Sequence, residues 1–404
     1  MPSRAPPTTL LVRTAIILVV GVLPLSRIHT QTSGGGSSST SDGSTLGELF
    51  GDRMIHQPPP KPTHKNKDDD NTPQHRHTYS AVSCPKNMAR RQDEDFYDPN
   101  KALAESPKRL TITEPPFWIS LFIEWFDQMR WVSIYNKGEY YEKGLTKIFK
   151  DVLSGGGDGD GVGSSGNGNG THVTAVSGRV IDVGMNVGWF TLFSRALGHQ
   201  ASSFDPNPIM PVRVCESLQL NGWDQDGSVR IFPYGVGSEE KAMNLTTGKN
   251  PGGSSFFAER LAKKFRKAIP AKVVRLDDVA IQEGWLEDTA PPIRLMKVDV
   301  EGFEYFSFLG AKRILSSGKV ENIIMENSIT EPLQIVSLLA LIYQNGYKIH
   351  ALLSVNGDPY HNDERTLAMV NRDLSETVGR TNSTDLGDSN FLIKITNNIW
   401  WKKR

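Results

Sequence analysis

Three short acidic stretches hold the residue types and spacings in this chain that could do chemistry. The first is "RVIDVGMNVGWF", where Asp182, Gly184, Asn186 and Gly188 fall in the pattern D-x-G-x-N-x-G after an apolar run. Gly184 permits a sharp backbone turn, and Gly188 lets the following helix pack close to the strand. Bare backbone between them can approach a bound molecule, and Asp182 can face an ammonium group. The pattern is not the G-x-G-x-x-G turn that cradles a dinucleotide's diphosphate. A ligand carrying a carboxylate, an amine and a sulfonium centre fits it better, although a plain strand-to-helix turn would use the same glycines.

The second stretch is "SSFDPNP", which puts Asp205 at a strand tip 23 residues after Asp182. A carboxylate there can accept hydrogen bonds from both ribose hydroxyls of an adenosine. The competing role is a helix cap, for which Asp205 or Asn207 stands ahead of Pro208. The third is "RLMKVDVEGFEYF", with Asp299 and Glu301 two apart and Gly302 behind them. Such a pair can orient a hydroxyl substrate and take its proton, Asp299 first and Glu301 second. Glu301 could instead cap a helix or pair with Lys297. No His, Cys or carboxylate group has metal-ligand spacing, so no metal is expected.

These residues need elements to position them. From Val173 onward short apolar strands alternate with helical segments. The candidate strands are Arg179–Val183, Ala201–Phe204, Val229–Tyr234, Leu295–Asp299, Asn322–Glu326, Lys348–Leu353 and Phe391–Ile395. The candidate helices are Val187–Leu197, Met210–Leu220, Glu304–Leu315 and Pro332–Tyr343. Alternation of this kind predicts an α/β fold with a mostly parallel sheet and helices on both faces. Its ligands bind at the carboxyl ends of the strands, where strand order reverses. The aromatic run containing Trp118, Trp125, Trp131, Tyr140 and Tyr141 reads as packing against that sheet.

The rest of the chain divides by composition. Residues 1–30 hold an apolar run, Thr14 to Leu25, flanked by Arg13 and Arg27, which reads as a signal peptide or a type II signal anchor in the membrane. Residues 31–109 are rich in Ser, Gly, Pro and charge and read as a disordered stem, with its histidines solvated. Residues 110–404 are the domain, interrupted by a Gly-rich loop insertion at 154–170. Lys+Arg and Asp+Glu are equal at 45 each, which argues against nucleic acid as a partner. The two cysteines, Cys84 and Cys215, form no framework and are expected not to pair, one lying in the stem and one in a helix. Sequons at Asn169, Asn244 and Asn382, with the N-terminal run, favour a glycoprotein of the secretory pathway, in the Golgi or endoplasmic reticulum lumen or secreted. An organelle transit peptide is the alternative.

Taken in order, "VIDVGMNVGWFTLFSRALG", "FDPNP…ESLQLNG", "VRIFPYGVGSEEKAMNL", "VVRLDDV" and "IRLMKVDVEGFEYFSFLGAKRIL…VENIIMEN" resemble the FkbM-type family of S-adenosylmethionine-dependent methyltransferases. The resemblance runs from about Gly138 to Asn327, and "LDD" followed by "K-x-D-V-E-G" is its most diagnostic part. It implies a Rossmann-like seven-stranded sheet of the class I methyltransferase type, and O-methylation of a small-molecule, sugar or glycan hydroxyl. It also implies S-adenosyl-L-methionine as cofactor, held by Asp182, Gly184, Asn186, Gly188 and Asp205. Asp299 and Glu301 match its "D-x-E-G" segment. Asp277 and Asp278 match "LDD", where one faces the pocket or both serve a turn or cap. Two other readings stand beside it: a non-catalytic lumenal module on the same fold, and an NAD(P)-dependent oxidoreductase. The segments Ser254–Arg266 and Asp358–Asp388 are expected to shape the acceptor site.

Overall fold

The computed structural model describes residues 78–84, 108–121, 140–155, 178–248, 251–257, 267–354, 357–360, 363–379 and 397–404. The apolar run at 14–25, most of the stem, the bulk of the Gly-rich insertion and the candidate strand Phe391–Ile395 lie outside these residues.

Strands β1 (Lys108–Leu110) and β2 (Trp118–Ser120) form an antiparallel pair, and helix α1 (Lys143–Leu153) follows. Then β3 (Arg179–Val183), α2 (Trp189–Ala196), β4 (Gln200–Phe204), α3 (Ile209–Leu220) and β5 (Val229–Phe232) alternate as the apolar pattern predicts. Next, β6 (Gly235–Val236), β7 (Lys241–Thr247) and β8 (Lys267–Val274) build a separate sheet in the order β6-β8-β7. Alternation resumes with α4 (Leu276–Gln282), β9 (Ile293–Val298), α5 (Glu304–Leu309) and α6 (Lys312–Ser316). It continues through β10 (Asn322–Asn327), α7 (Pro332–Gln344) and β11 (Tyr347–Leu353). The last elements are β12 (Pro359–Tyr360), α8 (Glu364–Gly379) and β13 (Asn397–Lys403).

The main sheet has the order β12-β11-β13-β10-β9-β3-β4-β5. Its middle strands read as near-continuous apolar runs because both faces are covered, as in β3, where Val180 and Ile181 are fully buried. From β3 the chain steps outward through β4 to β5; from β9 it steps the other way to β10. The reversal falls between β3 and β9, so the tips of those two strands meet at the switch point.

Three sequence expectations change here. The sheet is mixed and has eight strands rather than seven, because β13 runs antiparallel between β10 and β11 and β12 adds a short antiparallel edge. Residues Asn397–Lys403 thus form an interior strand of the sheet, with Trp401 fully buried. The single helix expected over Glu304–Leu315 is two, broken at Gly310, where a Cβ would sit 2.0 Å from the carbonyl oxygen of Gly237. And Cys84 and Cys215 are disulfide-bonded across 131 residues, with Cα atoms 5.3 Å apart. Their pairing depends on residues 78–84, which the sequence places in the stem. Tyr79 buries its ring against the core, and the Val82 amide donates to the Ile231 carbonyl 2.7 Å away on β5.

Candidate functional site

A cavity opens at the carboxyl ends of β3, β4, β9 and β10. Its floor includes Gly184, Asn186 and Asp205, and its opposite wall holds Asp299, Glu301 and Glu326. Tyr141 and Glu142, just ahead of α1, and Leu245, Gly252 and Phe256, from the β6–β8 insertion, close over it. Three non-glycine residues among those described have left-handed backbone: Glu142, Asn186 and Glu301, with φ of 42°, 53° and 55°. All three line this cavity, so backbone strain is concentrated where function requires a particular shape.

Gly184 is obligatory. Its φ is 84°, and a Cβ there would lie 1.7 Å from the carbonyl oxygen of Asp299. The turn after β3 thus rests directly on the turn after β9, leaving bare backbone toward the cavity. Gly188 (φ 86°) has a similar constraint, but from a helix rather than the strand: a Cβ there would lie 2.6 Å from the Val214 side chain of α3.

Asp205 lines the cavity as expected. Its Oδ2 accepts from the Asn186 amide at 3.0 Å and its Oδ1 from the Asn207 amide at 2.9 Å. Burial pushes its carboxyl up to about 7, against the lowering effect of those two amides. Each oxygen keeps a second lone pair that a ligand hydroxyl can use. Asn207 takes the linking role: its Nδ2 donates to the Pro251 carbonyl and the Ser254 hydroxyl, each at 3.2 Å, tying the insertion to β4. Its Oδ1 accepts from the Ile209 amide at 3.4 Å.

Asp182 stands elsewhere than the sequence implied. It is fully buried beneath the Gly184 turn and is not among the lining residues. Its Oδ2 accepts from the Thr191 hydroxyl at 2.7 Å, and its Oδ1 faces Lys297 Nζ at 4.0 Å. Burial raises its carboxyl, with Lys297 and Thr191 opposing. It cannot itself face a ligand's ammonium group; it supports the turn that does the lining.

On the other wall Lys297 is the hinge of the electrostatics. Its buried ammonium donates to Asp299 Oδ2 at 2.9 Å and lies near Asp182, and not in a pair with Glu301. Burial pulls its pKa down, but the charges of Asp299 and Asp182 outweigh this and raise it above the usual lysine value. Glu304, at the start of α5, folds back so that its Oε1 accepts from the Gly302 amide at 3.0 Å. That contact shapes the Asp299–Glu301 turn, and burial holds the Glu304 carboxyl at about 7. Asp277 is fully buried far from the cavity lining and accepts from the Arg313 and Ile314 amides, both at 3.0 Å. "LDD" therefore caps α6.

Glu326, the penultimate residue of β10, escaped sequence reading. It lines the cavity and hydrogen-bonds the Asp299 side chain. The charge of Asp299, then burial, pushes its carboxyl up to about 10. Its only sequence signal is its place at the end of a candidate strand. Of the two segments expected to shape the acceptor site, Ser254, Ser255 and Phe256 line the cavity. From the second, Val370 and Leu374 of α8 pack into the core instead.

The lining thus presents five carboxylates, Glu142, Asp205, Asp299, Glu301 and Glu326, and among the described residues no Lys, Arg or His. Such a cavity favours a positively charged or neutral polyhydroxyl ligand and repels phosphates.

Residues 182–349 match the family model described as the methyltransferase FkbM domain. Among solved structures the chain is similar to a SAM-dependent methyltransferase from Agrobacterium tumefaciens, with 10% identity and a TM-score of 0.32, covering 60% of this chain and 58% of that one. It is also similar to StiE O-MT residues 961–1257, with 12% identity and a TM-score of 0.28, covering 70% of this chain and 84% of that one. This chain spans less than two thirds of the first of these. No curated protein matches it. The domain match indicates S-adenosylmethionine as the cofactor.

Proposed function

We propose that this chain, whose residues 182–349 match the FkbM methyltransferase domain, uses S-adenosylmethionine to methylate a hydroxyl oxygen on an uncharged sugar, glycan or small molecule. The observation that carries the acceptor class is the lining: five carboxylates, no basic side chain among the described residues, and the rings of Tyr234, Phe256 and Phe303. Carboxylates accept hydrogen bonds from hydroxyls and repel acceptors that bear phosphate or carboxylate. Bound there, the cofactor supplies a methyl group already activated on a positively charged sulfur.

The chain's own residues then have positional work. Asp205 accepts hydrogen bonds from ribose hydroxyls while the Asn186 and Asn207 amides hold it still. The bare Gly184 backbone, which lines the cavity, would let the cofactor approach closely. The rings of the insertion exclude water and, with the acidic wall, align the acceptor hydroxyl. That hydroxyl gives up its proton to the wall of Asp299, Glu301 and Glu326 as its oxygen gains the methyl. The oxidoreductase alternative is disfavoured by the same lining, since a dinucleotide's diphosphate would meet five acidic side chains and, among the described residues, no basic one.

The compartment we propose is oxidising and lumenal or extracellular. The Cys84–Cys215 disulfide supports it. So does the Asn244 sequon, whose asparagine is exposed on β7; Asn169 and Asn382 lie outside the described residues. The membrane anchor we propose is the apolar run at residues 14–25, also outside them; among the described residues no helix is long and apolar enough to cross a membrane.

The test is incubation with methyl-labelled S-adenosylmethionine and a panel of neutral and acidic oligosaccharides. Label in a base-stable ether on neutral members is expected. Label in a base-labile ester, or on acidic members alone, would overturn the hydroxyl assignment.

A further inference from the structure

We infer that residues 78–84 are part of the cavity wall, and that Tyr79 is a positioning residue that fixes the ring of Tyr234 against the bound cofactor. The inference rests on the methyltransferase reading above and adds to that site a segment far ahead of β3 in sequence.

β5 is the outermost strand on its side of the main sheet, and residues 78–84 run along it. The Val82 amide donates to the Ile231 carbonyl at 2.7 Å, and the Cys84–Cys215 disulfide ties the end of the segment to α3. At the other end a single side chain, Gln282 at the close of α4, holds both backbone groups of Tyr79. Its Oε1 accepts from the Tyr79 amide at 2.6 Å, and its Nε2 donates to the Tyr79 carbonyl at 2.7 Å. The Tyr79 hydroxyl donates to Glu240 Oε2 at 2.8 Å, and the same carboxylate pairs with Lys272 of β8 at 2.8 Å. Tyr79 is thus buried with its backbone and its hydroxyl both engaged.

What this fixes is Tyr234. It follows β5, which pairs with β4, the strand whose tip carries Asp205, and it lines the cavity. Tyr79 meets its ring edge-to-face, with centroids 6.3 Å apart and planes at 75°. Lys272 Nζ lies 5.3 Å from the centre of the Tyr79 ring and 5.7 Å from that of Tyr234, so one ammonium is shared by both. The Tyr234 hydroxyl donates to the Ser80 carbonyl at 3.4 Å, on the segment itself. The ring plane is therefore set by residues 79 and 80 and by Lys272. A ring oriented before the ligand arrives loses little freedom on binding, whereas one freed of its neighbours must be immobilised at that moment.

Removing the Tyr79 ring, or releasing the segment by reduction, loosens this wall without altering a lining residue; neither cysteine lines the cavity. In the reduction the disulfide takes up two electrons and two protons to give the Cys84 and Cys215 thiols, while a dithiol reductant closes to its own disulfide. Tyr79→Ala keeps the disulfide, so it separates the segment's effect from any carried through α3.

The test is isothermal titration of S-adenosylhomocysteine into the full chain, oxidised and after reduction with dithiothreitol, and into Tyr79→Phe, Tyr79→Ala and Leu374→Ala. Leu374 is buried on α8, which packs on α7 and β11 toward the opposite edge of the sheet, so its truncation lowers stability without reaching the segment. Tyr79→Phe keeps the ring and should bind as wild type does. Tyr79→Ala and reduced wild type should each bind about tenfold more weakly, and Leu374→Ala should unfold earlier yet bind unchanged. Equal weakening in Leu374→Ala, or undiminished affinity in Tyr79→Ala or in reduced wild type, overturns the inference and leaves the methyltransferase reading intact. Should Tyr79→Ala fail to fold, wild type alone answers. By reciprocity, saturating S-adenosylhomocysteine should raise the ratio of reduced to oxidised dithiothreitol needed to half-reduce the cysteine pair by the same factor, about tenfold, and the shift should then level off. No shift, or one that keeps growing with ligand concentration, overturns the inference; the second result would place the segment's role in holding the fold together. Oxidised wild type that binds neither S-adenosylhomocysteine nor S-adenosylmethionine overturns the methyltransferase reading and the inference with it.

Discussion

At the tips of β3 and β4, Asp182 and Asp205 accept from the Thr191 hydroxyl and from the amides of Asn186 and Asn207, with Lys297 Nζ 4.0 Å from Asp182. At the tips of β9 and β10, Asp299 and Glu326 hydrogen-bond each other, with Glu301 alongside and a single ammonium among the described residues, Lys297, behind them. The same residue type in the same topological place thus does two jobs. Two fixed amide donors give Asp205 a set direction, and its acceptor face is complete where its carboxyl, raised to about 7 by burial, is ionised. At the other wall the carboxyl groups of Asp299, Glu301 and Glu326 lie within 4.8 Å of one another, and the charge of Asp299 raises the Glu326 carboxyl.

The comparison can be broken where the halves touch. Gly184→Ala would drive a Cβ into the carbonyl of Asp299 and force a left-handed backbone on alanine. The expected loss is about 4 kcal/mol or more, seen as a collapse of soluble, cooperatively unfolding protein. Normal unfolding in Gly184→Ala would mean the two turns are not locked together.

Lys297→Met removes the ammonium that lies between Asp182 and Asp299. The loss should be about 3–5 kcal/mol in denaturant unfolding at neutral pH. It should shrink as pH falls, because Asp182, already raised by burial, takes up a proton and no longer needs a counter-charge. A pH-independent loss would place the role of Lys297 in packing alone. Away from the site, Cys84→Ser opens a closure of 131 residues and should cost about 2–4 kcal/mol, matched by wild type under reductant.

The smallest effect sharpens the β3–β4 side. Because Asp205 titrates at about 7 in the folded chain, it is ionised at pH 8 and largely neutral at pH 6. Affinity for S-adenosylmethionine should fall over that range. Asp205→Asn should bind about tenfold more weakly at the upper pH and lack this component of the pH dependence. An Asp205→Asn profile parallel to wild type would move the titration to another group, with Glu304 the next to examine.

Much of this was legible in the sequence, and the reasons separate cleanly. Gly184 could be read because a sharp turn after an apolar strand has few solutions, and Asp205 because a strand tip followed by Pro and Asn fixes its position. The five co-directional strands from β10 to β5 followed from apolar runs. The burial of Asp182 was not legible, because one residue along a strand exchanges faces, and its face points to Thr191. Glu326 was missed because its meaning lies in the β9–β10 register, a non-local fact. The same is true of β13, inserted against the run of the sheet, and of a disulfide closed by a segment that looked like stem.

The central claim is that the acidic cavity at the β3–β9 switch point is the seat of a cationic cofactor. The most direct measurement is calorimetric titration of S-adenosylmethionine, S-adenosylhomocysteine and NAD into the full chain and into Asp205→Ala. The account predicts saturable binding of both sulfur compounds, markedly weakened in Asp205→Ala, and none of NAD. Binding of NAD, or binding of S-adenosylmethionine undiminished in Asp205→Ala, would contradict it.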